Sequence, residues 1–126
     1  MNTLFLVYLI VEAIFGIGFL FVPGLMMDPM GVTLDETSTT FARLLGSLVI
    51  SIPVLLFFAR KSASEEFKRA VVYSIFTYLL LSTIILLIPQ LKGLMNSLGW
   101  GIVALHFGFM LWFGYFIIKK GKSKPV

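Results

Sequence analysis

A single carboxylic acid, Glu12, stands inside the apolar run Thr3 to Val22, TLFLVYLIVEAIFGIGFLFV. A charged side chain at mid-bilayer costs at least about 2.5–3.5 kcal/mol, so such an acid is expected to face the protein interior, to hold a partner or to carry a proton. Those are also the conditions under which a carboxyl group handles protons or cations. Two further ionisable groups lie in apolar surroundings, Arg43 early in the second apolar run and His106, the single histidine, in the fourth. Tyr78, Ser47 and Ser82 complete the candidate ligand or proton site. Contact of Glu12 with Arg43 or His106 needs a reach of about one helical turn, which an arginine stem covers by snorkelling. Each group also has a structural explanation. Arg43 can reach headgroups, His106 can bond a nearby backbone carbonyl, and the serines can bond between helices.

Other chemistries find little support. There is no cysteine, so thiol catalysis, disulfides and thiolate metal sites are excluded, and one histidine cannot build a multi-histidine site. Haem would need His106 from two chains, or His106 with a methionine such as Met110. Gly16-Ile17-Gly18 lacks the strand and third glycine of a nucleotide fingerprint. No nucleophile, metal cluster or cofactor motif is visible, so no catalytic residue and no cofactor is assigned.

The elements that position these residues follow from hydropathy. The chain has 126 residues, 59% hydrophobic and 13% charged, with a mean hydropathy of +1.01. That is too apolar for a soluble domain of this size and places the chain in the membrane class. Four membrane helices are predicted at about 3–22, 41–59, 70–88 and 98–118, giving an all-α, four-helix transmembrane bundle in one domain. The first is read as a retained helix rather than a signal peptide, having no basic residue before it and no cleavage site after it. Residues 22–40, with two prolines and three acids, read as a loop. Thr33-Leu34-Asp35-Glu36 has the form of a capping box for the second helix. Pro53 should bend that helix, and Pro89 should close the third.

At i, i+4 spacing each helix gathers its small or polar side chains on one face. Tyr8, Glu12 and Gly16 share such a face, as do Arg43, Ser47 and Ser51, then Ser74, Tyr78 and Ser82, and finally His106 with Gly114. Four such faces turned inward would line a polar centre. Four helices of this length enclose little volume, so a permeation path is expected at an oligomer interface.

Orientation follows from the basic residues. Arg60, Lys61, Lys68, Arg69, Lys119, Lys120, Lys122 and Lys124 fall on one side, against Lys92 and Arg43 on the other. By the positive-inside rule both termini are cytoplasmic in a multi-pass cell-membrane protein. The net charge of +4 is thereby explained as topology, and no nucleic-acid binding is inferred.

The order of parts resembles the DoxX-like group of small bacterial four-helix membrane proteins. The resemblance is carried by the first helix, Pro23-Gly24 to Met30-Gly31-Val32, Phe41-Ala42-Arg43-Leu44-Leu45-Gly46 and the basic turn at Arg60, about the first half of the chain. It implies a four-helix bundle, in some members a subunit linked to quinone-dependent oxidoreductases. The layout is also similar to that of small multidrug resistance transporters, which implies a proton and cation site at Glu12 in LIVEAIFG. The sequence departs from that second family in its charge bias, its acidic first loop and Arg43.

The expectation is therefore a small membrane binding or transport module, a homo-oligomer or part of a membrane complex, taking a small lipophilic or cationic ligand at Glu12. The alternative is a non-catalytic accessory subunit in which a Glu12–Arg43 pair sets helix register. The orientation predicts that a cysteine placed at Ser38 is labelled from outside intact cells by an impermeant thiol reagent while one at Ser64 is spared. The reverse pattern would invert the topology.

Overall fold

The computed structural model describes residues 1–121, with side chains through Lys119. The basic-tail residues Lys122 and Lys124 lie outside the described residues, as does the Lys120 side chain. The described chain is helical throughout, with no strand: α1 (Asn2–Phe21), α2 (Pro23–Met27), a 3-10 turn (Asp28–Met30), α3 (Glu36–Lys61), α4 (Glu65–Leu91) and α5 (Gly99–Gly121). Four of these, α1, α3, α4 and α5, are long and apolar enough to cross a membrane.

Local chemistry explains where the helices begin and end. The cap of α3 is Asp35 rather than Thr33, its carboxylate accepting from the Ser38 N–H at 2.7 Å and the Ser38 hydroxyl at 2.6 Å. Those bonds hold the Asp35 carboxyl below the usual carboxylate range. A carboxylate makes the stronger, charge-assisted acceptor, so the capping box expected at Thr33 gives way to it. Ser64 caps α4 by accepting from the Phe67 N–H at 3.1 Å, and α4 thus begins five residues before the expected position.

Pro89 does not end α4. The stop is Gly93, in the left-handed region at φ 72°. There Gly93 N–H donates to the Gln90 carbonyl and Leu94 N–H to the Pro89 carbonyl, the paired bonds of a Schellman cap. A proline forbids a donor one turn back, not the continuation of a chain already turning. Likewise α3 runs on past Pro53. The segment read as a loop is partly helical too, because α2 folds back so that Met26 covers Gly18.

The four long helices pack as two antiparallel pairs. In α1/α3 the backbones nearly touch: a Cβ on Gly46 would lie 2.5 Å from the Leu20 amide nitrogen and 2.9 Å from the Gly16 carbonyl oxygen. In α4/α5, Gly114 sits against Phe76 and Gly99 against Gln90. The pairs join through a core at one end of the bundle, where Phe5, Tyr8, Leu56, Ile75 and Phe113 are buried. Tyr8 is wedged between Phe109 and Phe113, with ring centroids 4.8 and 5.2 Å away. Towards the other end the pairs diverge.

The outer surface is apolar. Leu48, Phe58, Leu81 and Leu111 are each more than half exposed. Trp100, Trp112 and Tyr115 are exposed as well, with Trp112 stacked on Phe109.

Glycine function differs by position. Gly46→Ala places a methyl group into backbone and is expected to destabilise the protein by about 1–3 kcal/mol. Gly108 faces open space, so Gly108→Ala should change stability by no more than about 1 kcal/mol, on the favourable side from helix propensity. Thermal unfolding in detergent compares the two; equal effects would remove the glycine contact as the reason for the α1/α3 pairing.

Candidate ligand site

Where the helix pairs diverge they enclose a cavity of about 300 Å³ within the single chain, at the small end of the ~300–1,000 Å³ range of ligand pockets. Glu12 and Tyr8 reach it from α1, Tyr78 and Ser82 from α4, and His106 from α5. Glu12 is 6% exposed, so its carboxyl meets this cavity and little else.

Arg43 and Ser47 are not part of it. Both are exposed, and Ser47 bonds its own helix, Oγ to the Leu44 carbonyl at 2.7 Å. Glu12 and Arg43 form no ion pair. The reason is the Gly46 contact, which turns one line of α3 against α1. At about 100° per residue, Arg43, Ser47 and Ser51 then fall on the outward flank, while Leu45 and Val49 fall on the cavity side. On α4, Ser74 is exposed, whereas Tyr78 and Ser82 face the cavity. The polar centre of four inward faces is therefore an apolar chamber with polar groups from three helices.

The polar groups include both donors and acceptors. His106 Nδ1 lies 2.9 Å from the Ile102 carbonyl oxygen. A carbonyl only accepts, so Nδ1 carries the hydrogen, and in the neutral ring Nε2 is an acceptor. The structural explanation for His106 thus holds, and its second nitrogen still belongs to a cavity-lining ring. The Tyr78 ring stands 6.3 Å from the imidazole, centroid to centroid. Both tyrosine hydroxyls lie within electrostatic reach of the Glu12 carboxyl. Tyr8 Oη is nevertheless buried without a well-formed hydrogen bond. Pro53 and Pro89 have no N–H, so the carbonyls one turn earlier, on Val49 and Ile85, lose their usual helical donor. Both residues line the cavity.

A lid closes the loop end. Asn96 joins the α4–α5 loop to the 3-10 turn: its N–H donates to the Met30 carbonyl at 2.9 Å, and Nδ2 donates to the Pro29 carbonyl at 2.8 Å. Its Oδ1 accepts from Leu98 N–H at 2.9 Å and its carbonyl from Gln90 Nε2 at 3.1 Å. Beneath this clasp Met27, Met30 and Met95 line the cavity, supplying flexible and polarisable walls. Sequence reasoning placed Tyr8 on the Glu12 face but outside the site, and it missed the lid. The available signal was methionine in both connecting segments, Met26, Met27 and Met30 in the first and Met95 in the second.

A family model described as a domain of unknown function (DUF8292) matches residues 6–126. No curated protein and no solved structure matches the chain.

Asn96→Ala removes the two side-chain bonds of the clasp and is expected to cost about 1–2 kcal/mol. Amide exchange should accelerate at Leu98 and across 27–31, while the 4–8 core stays protected; unchanged exchange would mean that the lid is held otherwise.

Proposed function

The chain belongs to the DUF8292 family over residues 6–126, and we propose that it is a multi-pass membrane protein, both termini cytoplasmic, serving as a binding module for a small lipophilic ammonium ligand. Four spanning-length helices with apolar outer surfaces support the membrane assignment, since water would not tolerate that much exposed hydrocarbon. The charge bias supports the orientation.

The observation that carries the ligand class is Glu12 itself. It faces a cavity whose lining includes no lysine or arginine, so its charge is neutralised there either by a proton or by a cation that the ligand brings. An ammonium group donates hydrogen bonds, and the site offers acceptors: the Glu12 carboxylate and the ring nitrogen His106 Nε2. Aromatic faces of Tyr8, Phe15 and Phe109 around the chamber add attraction for a cation. The apolar remainder of the ligand fits the methionine-lined end. Binding is the step that the geometry supports directly; transport would add an exit to the other side. The accessory-subunit alternative loses the Glu12–Arg43 pair that motivated it.

The test compares 4-fluorophenethylamine with its neutral isostere 2-(4-fluorophenyl)ethanol, followed by ¹⁹F NMR in lipid nanodiscs. A charge-assisted hydrogen bond contributes about 1.5–3 kcal/mol, so the native protein should prefer the amine by roughly 10- to 100-fold. Glu12→Gln should abolish the preference while the protein still folds. Equal affinity for both compounds in the native protein would sink the cation site.

A further inference from the structure

Among the residues that line the cavity, the two that are more than a third exposed are Leu45, at 43%, and Ile85, at 65%. They belong to α3 and α4 respectively. Counted from the α3–α4 turn, they stand at heights within about one helical turn of each other. The residues on the remaining sides are less exposed. Backbone contact through Gly16 and Gly46 seals α1 against α3, and Gly99 on Gln90 and Gly114 on Phe76 seal α4 against α5. Between α1 and α5, Tyr8 packs on Phe109 and Phe113, with Phe15, Phe19, Ile102 and Leu105 no more than partly exposed above them. Asn96 clasps the loop end over the buried Met30 and Met95.

We propose that the ligand enters and leaves sideways, through the gap between α3 and α4 at Leu45 and Ile85, directly from the bilayer. This rests on the reading of the chamber as a ligand site in a membrane protein, and it narrows the ligand. A metal cation or a small hydrophilic ammonium ion does not dissolve in hydrocarbon and cannot take this route. An amine carried on a ring or short chain partitions into the membrane, sheds its proton to cross hydrocarbon, and takes one from the protonated Glu12 carboxyl, leaving an ammonium–carboxylate pair. The two gap residues are apolar, so the passage itself offers no polar stop before the carboxyl group.

The absence of cysteine allows a direct test, because Ser82→Cys puts a single thiol on the cavity wall. In proteoliposomes, N-cyclohexylmaleimide, which partitions into lipid, should label that thiol. The permanently charged 2-(trimethylammonio)ethyl methanethiosulfonate should do so at least about ten-fold more slowly, given the cost of carrying a charge through hydrocarbon, while both label a Ser38→Cys control. Adding Leu45→Trp and Ile85→Trp should slow the lipophilic reagent several-fold, and Leu45→Ala with Ile85→Ala should speed it. Asn96→Ala, which loosens the lid, should not remove the dependence of its rate on the gap substitutions. Access by the charged reagent at the control's rate would overturn lateral entry, as would a rate that responds to Asn96→Ala and not to the gap substitutions. The readout does not involve Glu12. Lost amine preference with retained lateral labelling therefore removes the carboxyl anchor alone, and the converse removes the route alone.

Discussion

The contact between the backbones of α1 and α3 at Gly16 and Gly46 is the constraint from which the rest of the structure follows. Helices in an apolar solvent gain nothing from hiding hydrocarbon, so they associate where small residues let their backbones approach. That contact sets the rotation of α3, and rotation decides which of its residues look inward. With Gly46 against α1, the polar line of Arg43, Ser47 and Ser51 turns outward, and Leu45 and Val49 become the wall of a chamber. Glu12, on the α1 face that also carries Gly16 and Tyr8, is thereby buried without the arginine that its sequence position suggested.

A second consequence is the division of the bundle along its length. At the end bearing the α3–α4 turn, Phe5, Tyr8, Phe109 and Phe113 fill the space between the helix pairs with interlocking rings. Aromatic packing of this kind is rigid and leaves no room for a ligand. Beyond Tyr8 the pairs diverge, and side chains alone no longer fill the space. The chamber depends on this unequal packing. Its floor is the top of the aromatic core, its roof a lid of methionines, and its polar groups gather at the floor, around Glu12.

The lid shows how two loops far apart in sequence become one part. Asn96 has four polar groups on backbone and side chain, and all four are bonded, two of them to the 3-10 turn. A single asparagine in this role ties the loop ends of the two pairs together. Methionine below it tolerates occupants of differing shape, since its unbranched chain repacks at small cost.

What the sequence determined by itself was the set of helices. Hydrophobic runs of bilayer length, bounded by charged and polar residues, leave little choice of secondary structure, and all four appear within a few residues of their expected positions. It also determined that Glu12 would be buried, because an acid amid so many apolar neighbours has a stable place in the interior alone. Periodicity groups residues on a face but does not say which way the face turns. Arg43, Ser47 and Ser51 form as regular a line as Tyr8, Glu12 and Gly16, yet one line faces out and the other in. Tertiary structure decided this through Gly46, whose missing side chain is visible in the sequence while the partner backbone it admits is not. The lid was hidden for the same reason: Asn96 and Pro29 are 67 positions apart, and no local pattern records a hydrogen bond between loops that meet only after the helices have packed.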